Sequence, residues 1–142
     1  MYVFNDAAAK FLQENGVKKF VYPFENEYPN LIAMQNKNGV VPLFFKPSLF
    51  NSRMPVNAVK KEFKDNKFEY EKFIKNGITI TVPKIPVALF QYKRKLKGFS
   101  EFLIDLSFFE PSKGLIKKVF DKYEKKEAFQ PSKTFNFKKG LG

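Results

Sequence analysis

Apolar positions along this chain fall into blocks, and the spacing inside each block separates strands from helices. The stretch Val17-Lys18-Lys19-Phe20-Val21-Tyr22-Pro23-Phe24 is an apolar run without alternation, closed by the polar cluster Glu25-Asn26-Glu27. A run of that kind predicts a strand covered on both faces, as in a parallel α/β sheet. Val40 to Phe45 and Phe102 to Leu106 read the same way, and Tyr2-Val3-Phe4 reads as a short strand ending at Asn5. Helical spacing lies between them. Asp6 to Asn15 carries Ala8, Phe11 and Leu12 on one face and stops at Asn15-Gly16. Glu27 to about Asn38 has Tyr28, Leu31 and Ile32 at helical intervals, with Pro29 acceptable in the first turn. A third helix is entered through Pro83 and Pro86, turns Leu89, Tyr92 and Leu96 inward, and ends at Gly98. The fourth begins at Pro111-Ser112 and runs to about Lys126, with Leu115, Ile116, Val119, Phe120 and Tyr123 on one stripe.

Two departures modify this series. Pro42 lacks the N–H that a central strand needs, which points to an edge or a bulge. From Lys46 to Lys67 the period is lost, which predicts a long loop holding Ser52-Arg53-Met54-Pro55. Beyond it, Phe68 to Phe73 and Ile78 to Val82 alternate on either side of Asn76-Gly77, the signature of a hairpin. The order β-α-β-α-β-(hairpin)-α-β-α predicts an α/β fold: a partial, half TIM-like barrel or an open parallel sheet with helices, plus an antiparallel hairpin insertion near 68–82. Residues 1–128 would form that domain. Residues 129–142 would form an irregular basic arm, with Phe135 and Phe137 packing back on the body.

Composition narrows the chemistry. With 142 residues, 44% hydrophobic content and 19 Phe, the chain fits one folded domain. It has no Cys and no His, which excludes thiolate nucleophiles, an iron–sulfur cluster and imidazole acid–base catalysis within this chain. No long apolar run suggests a membrane span, and Met1 to Asp6 does not read as a signal peptide, so a cytoplasmic protein without a membrane partner is expected. The net charge of +12 favours anionic partners, RNA above all. Of the 26 basic residues only Arg53 and Arg94 are Arg, fewer than a dedicated nucleic-acid site normally uses. No Walker loop, GxGxxG or GxSxG is present.

Several stretches resemble the collagenase-like peptidases, the peptidase family U thirty-two. They are Asn5 to Leu12, Gly16-Val17 leading to Glu25, Gly39-Val40-Val41-Pro42-Leu43, and Asn51-Ser52-Arg53-Met54-Pro55. Phe102 to Leu106, Pro111 to Lys126 and the closing Phe135-Asn136-Phe137-Lys138-Lys139-Gly140 continue the order. The resemblance covers most of the chain and corresponds to the C-terminal part of that family's barrel domain. It implies a hydrolase, or a factor of the RNA- or quinone-hydroxylation type, that needs an N-terminal half or a second copy of itself. The family's Cys cluster has no counterpart here, and Asp105-Leu106-Ser107 follows Ile104 where the family carries Glu-Gly-Arg.

Asn5, Glu25, Lys46 and Asp105 each end or follow an apolar strand, which in a parallel sheet brings them to one rim. Glu25, Arg53 and Asp105 are the candidate catalytic residues, with Asn5 and Lys46 as candidate substrate ligands. Two carboxylates beside a Lys and an Asn suit an acid–base pair or a divalent cation, although no specific metal is indicated. The structural alternatives are that Glu25 and Asn26 cap the next helix, that Asp105 pairs with a cation, and that Arg53 pins loop carbonyls. Lys93, Arg94, Lys95 and Lys97 form a basic helix face near Tyr92 and Phe99. They suit RNA contact in a non-enzymatic binding module, or simply a solvated outer face.

Overall fold

The computed structural model describes residues 3–53, 61–65 and 68–138. Expectations that rest on Tyr2, Met54, Pro55, Lys67 or residues 139–142 lie outside the described residues. Along the chain run α1 (Asp6–Glu14), α2 (Tyr28–Ala33), β1 (Val41–Phe45), β2 (Phe50–Ser52), β3 (Glu62–Lys64) and β4 (Glu69–Lys75). β5 (Ile78–Pro83), β6 (Val87–Ala88), a 3-10 turn (Phe90–Lys95), β7 (Phe102–Ile104), α3 (Lys113–Lys125) and a second 3-10 turn (Phe135–Phe137) complete the order.

These strands form two sheets, ordered β6-β1-β7 and β2-β5-β4-β3. The second is antiparallel throughout, and among pairings of named strands only β1 with β7 is parallel. The expected parallel α/β sheet, half TIM-like barrel included, is therefore incorrect. The reason lies in the crossovers. A parallel connection needs a dozen or more residues, usually in an α-helix. Here α2 has six residues, the expected third helix is a 3-10 turn, and most of the chain between β1 and β7 builds the second sheet.

The run Val17 to Phe24 also shrinks. It makes one parallel bridge, Val21 with Val40, through Tyr22 N–H to Val40 O (3.0 Å) and Val40 N–H to Phe20 O (2.8 Å). Pro23 has no N–H to extend the ladder, and Val17 to Lys19 are exposed. Gly39 lets this segment approach closely, because a Cβ there would run into the rings of Phe20 and Tyr22.

β1 is the centre of the core, buried at all five positions. Its ladder to β7 shifts register between Pro42 and Phe44, a bulge or irregularity in line with one of the two outcomes, edge or bulge, to which Pro42 points. Phe44 lies within 5.0–5.6 Å, ring centre to ring centre, of Phe90, Phe109 and Phe129. The C-terminal residues do pack back, Phe137 against Tyr28 and Tyr92.

The helices follow their end signals better than their lengths. Asn5 caps α1 by accepting from Ala8 N–H (2.9 Å), and Ser112 caps α3 by accepting from Leu115 N–H (3.1 Å). α2 stops early because Met34 turns extended, and the Lys37 ammonium takes up the carbonyls of Leu31, Ile32 and Met34. Phe11, on the apolar face of α1, and Ile116 and Phe120, on the apolar stripe of α3, are exposed. Among the described residues no helix is long and apolar enough to cross a membrane.

The hairpin at 68–82 is present as β4 and β5. Asn76 (φ 52°) and Gly77 (φ 74°) are both left-handed, as a two-residue type I′ turn requires. The expected loop 46–67 contributes β2 and β3, which flank this hairpin. The second sheet docks on the carboxyl rim of the first. Glu71 meets Lys46 (2.6 Å) and Phe73 packs against Phe108 (5.4 Å between ring centres).

Candidate functional site

The bridge at Val21, β1 and β7 all run in the same direction, so their carboxyl ends come out on one side. A cleft of about 410 Å³ opens there. Residues Val21 to Glu25 form one wall, Pro47, Ser48 and Asn51 form the other, and Leu103 of β7 reaches it from beyond β1. Pro23, Phe24, Pro47 and Leu103 make the lining largely apolar. Phe24 is fixed by stacking on Phe45 at 4.3 Å.

Glu25 is half-buried and has no hydrogen-bonding or ionic partner among the described residues. It is not a helix cap. The cap position of α2 belongs to Glu27, which makes no side-chain capping bond. Buried Asn26 instead accepts from the Asn30 side chain (2.6 Å), and Asn30 also donates to Phe4 O (2.8 Å). That network holds the turn while Glu25 stays available. Across the cleft, the Ser48 hydroxyl donates to the amide oxygen of Asn51 (2.8 Å).

The other candidates do not join Glu25. Asn5 is spent on the α1 cap. Lys46 shares the rim, but its ammonium turns to Glu71 and sits 4.8 Å from the centre of the Phe109 ring. Asp105 donates its N–H to Phe44 O (2.7 Å) and accepts Ser107 N–H (2.9 Å), so it closes a turn. It has no cationic partner among the described residues. Arg53 is exposed at the end of β2 and does not line the cleft.

Chemically, this arrangement binds better than it reacts. An amide oxygen cannot take a proton, so Asn51 does not activate Ser48 as a nucleophile. Glu25 can accept hydrogen bonds from an amide or an ammonium. Tyr22 supports the wall: its hydroxyl donates to Asn36 O (2.8 Å), and burial pushes its pKa up. Among the described residues no three acidic side chains gather in a way that could hold a metal ion.

The basic segment is partly occupied. Lys93 lies between Tyr123 (3.6 Å from the ring centre) and Phe102 (5.2 Å). Arg94, Lys95 and Lys97 are exposed, while Phe99 is buried. Lys95 and Lys138 flank the ring of Tyr92 at 6.0 and 5.5 Å.

Ser48 is the residue that sequence reading missed, while Asn51 was read only as the start of the Asn51-Ser52-Arg53 stretch and not as a site residue. The same logic that selected Lys46, a polar group just past a buried strand, would have reached Ser48 two residues later. Comparison with protein-family models, with curated proteins and with solved structures gives no match to any of them.

Proposed function

We propose that this chain is a peptide-binding domain of the collagenase-like peptidase kind, one that supplies a substrate cleft and leaves the reacting groups to another part of the assembly. One observation carries the reading. Three stretches on which the family resemblance rests, the run ending at Glu25, the segment entering Asn51-Ser52-Arg53, and the strand Phe102 to Leu106, all contribute to one cleft. A half-buried carboxylate, a hydroxyl and a side-chain amide between Pro and Phe walls suit an extended peptide, which presents N–H donors and apolar side chains in alternation. Among the described residues Ser48 is paired with the Asn51 amide rather than with a base, and in this reading the bond-breaking groups come from an N-terminal half or a second copy. β7, an edge strand among the described residues, offers a free side for such a partner.

Fluorescence anisotropy with a labelled gelatin-derived peptide tests this. Saturable binding is expected, without peptide cleavage by the chain alone. Glu25→Gln should weaken it roughly tenfold, the worth of one hydrogen bond to a charged group, about 1.5 kcal/mol. Absence of binding, or binding indifferent to both Glu25→Gln and Ser48→Ala, overturns the reading. A second reading, a non-enzymatic RNA-binding module, is favoured by the partly exposed Tyr92 ring between Lys95 and Lys138. Replacing the peptide by labelled poly(U) separates the two: salt-sensitive binding that survives Glu25→Gln and fails in Lys95→Ala supports RNA.

A further inference from the structure

A second cavity, of about 260 Å³, lies where the two sheets meet and shares no lining residue with the Glu25 cleft. Lys46 and Glu71 form its inner end, Lys61 and Glu110 its mouth, and Phe73 and Phe108 line it between them. Lys46 is only 6% exposed. An ammonium so placed is expensive to desolvate, and an apolar pair would dock the sheets at least as well. It carries three N–H donors. One goes to Glu71 (2.6 Å), the ring of Phe109 faces the charge, and among the described residues there is no second acceptor. At the mouth, Glu110 is 89% exposed and, among the described residues, held only by a 3.5 Å contact to Lys61.

The lining carries charges of both signs: Lys46 and Lys61 against Glu71, Glu110 and Glu62, the last engaged by Lys84 (2.9 Å) from outside the cavity. A purely anionic ligand would meet the three carboxylates, and a purely cationic one would meet Lys46 and Lys61. A small zwitterion finds a complement at each end. The volume is below the range of about 300–1,000 Å³ usual for drug-sized ligands, so the ligand is small. We propose that this cavity binds a free α-amino acid with an apolar side chain. Its carboxylate takes the unspent donors of Lys46, its ammonium replaces Lys61 at Glu110, and its side chain lies against Phe73 and Phe108. This site is independent of the peptide cleft.

Isothermal titration with L-leucine, L-phenylalanine and L-methionine tests it, using leucinamide and N-acetyl-leucine as analogues lacking one charge each. At least one amino acid should bind at millimolar concentration or below. If it is leucine, each analogue should bind at least tenfold more weakly; for the others, the corresponding amide and N-acetyl forms serve. Glu110→Gln, at an exposed position where folding is not at stake, should weaken binding threefold or more, and Lys46→Met should abolish it. If Lys46→Met does not fold, the analogue series and Glu110→Gln decide. No heat with any of the three amino acids, an analogue as tight as its parent, or an unchanged affinity in Glu110→Gln overturns the proposal. Gelatin-peptide binding serves as the control, since it should be unaffected by saturating amino acid.

Discussion

Asp6 shows how one side chain ties distant segments together. It sits in the first turn of α1, where the helix dipole favours a carboxylate, and accepts Gln35 N–H (3.0 Å) and Asn36 N–H (2.7 Å). Those bonds, Gln35 first and then Asn36, lower its pKa from the ordinary 3.8. A depressed folded pKa adds stability that is present above the unfolded value and is lost as pH falls through the folded one. Asp6→Asn should therefore lower the urea midpoint near neutrality, with the difference from the parent shrinking below about pH 4. A constant difference across the acid range would show that the charge is not responsible. From the sequence, Asp6 reads only as the start of a helix; its partners lie 29 and 30 residues away. Asn5 is the opposite case. Its N-cap role is local, and the sequence alone carries the signal.

Among the elements, the β4–β5 hairpin was the most legible, because alternation and Asn76-Gly77 specify strand, turn and register within a dozen or so residues. Gly77→Val should destabilise the chain by about 1–2 kcal/mol, the cost of a left-handed backbone for a residue with a Cβ, read from urea unfolding. An unchanged midpoint would mean that the turn does not hold the hairpin. The run Val17 to Phe24 was the least legible. Apolar continuity reports burial, and Phe20 and Tyr22 are indeed buried. Burial does not require a ladder, however, and Pro23 limits this one to a single bridge. The stretches read as a second and a third helix likewise show helical spacing, yet Met34 turns extended and residues 90–95 settle into a 3-10 turn. Short helices owe their form to packing more than to propensity. Ser48 and Asn51 fell within the segment read as a long loop, where no period guides a choice.

Across the whole molecule, the join between the sheets rests on Lys46, Glu71 and the Phe73–Phe108 contact. Glu71→Ala strands a buried ammonium and should cost on the order of 3 kcal/mol in urea unfolding, whereas Lys46→Met with Glu71→Leu should recover most of that loss. A double variant as weak as the sum of the single ones would show that the pair does not act as a unit. The sequence by itself determined the local features: where α1 and α3 start, the hairpin and its turn, a break in regular pairing at Pro42, the aromatic core, and the absence of thiol and imidazole chemistry. Each depends on residues within a few positions of one another, or on composition alone. Only the tertiary structure decided the pairing of strands distant in the chain, which replaced a parallel α/β sheet by a mixed and an antiparallel one. It also decided which rim residues meet. Asn5, Lys46 and Asp105 find nearer partners than any common ligand, so the expected rim of four reduces to Glu25, facing Ser48 and Asn51. Long-range pairing turns on which edges and side chains can reach each other, and a linear pattern of apolar and polar positions does not encode that distance.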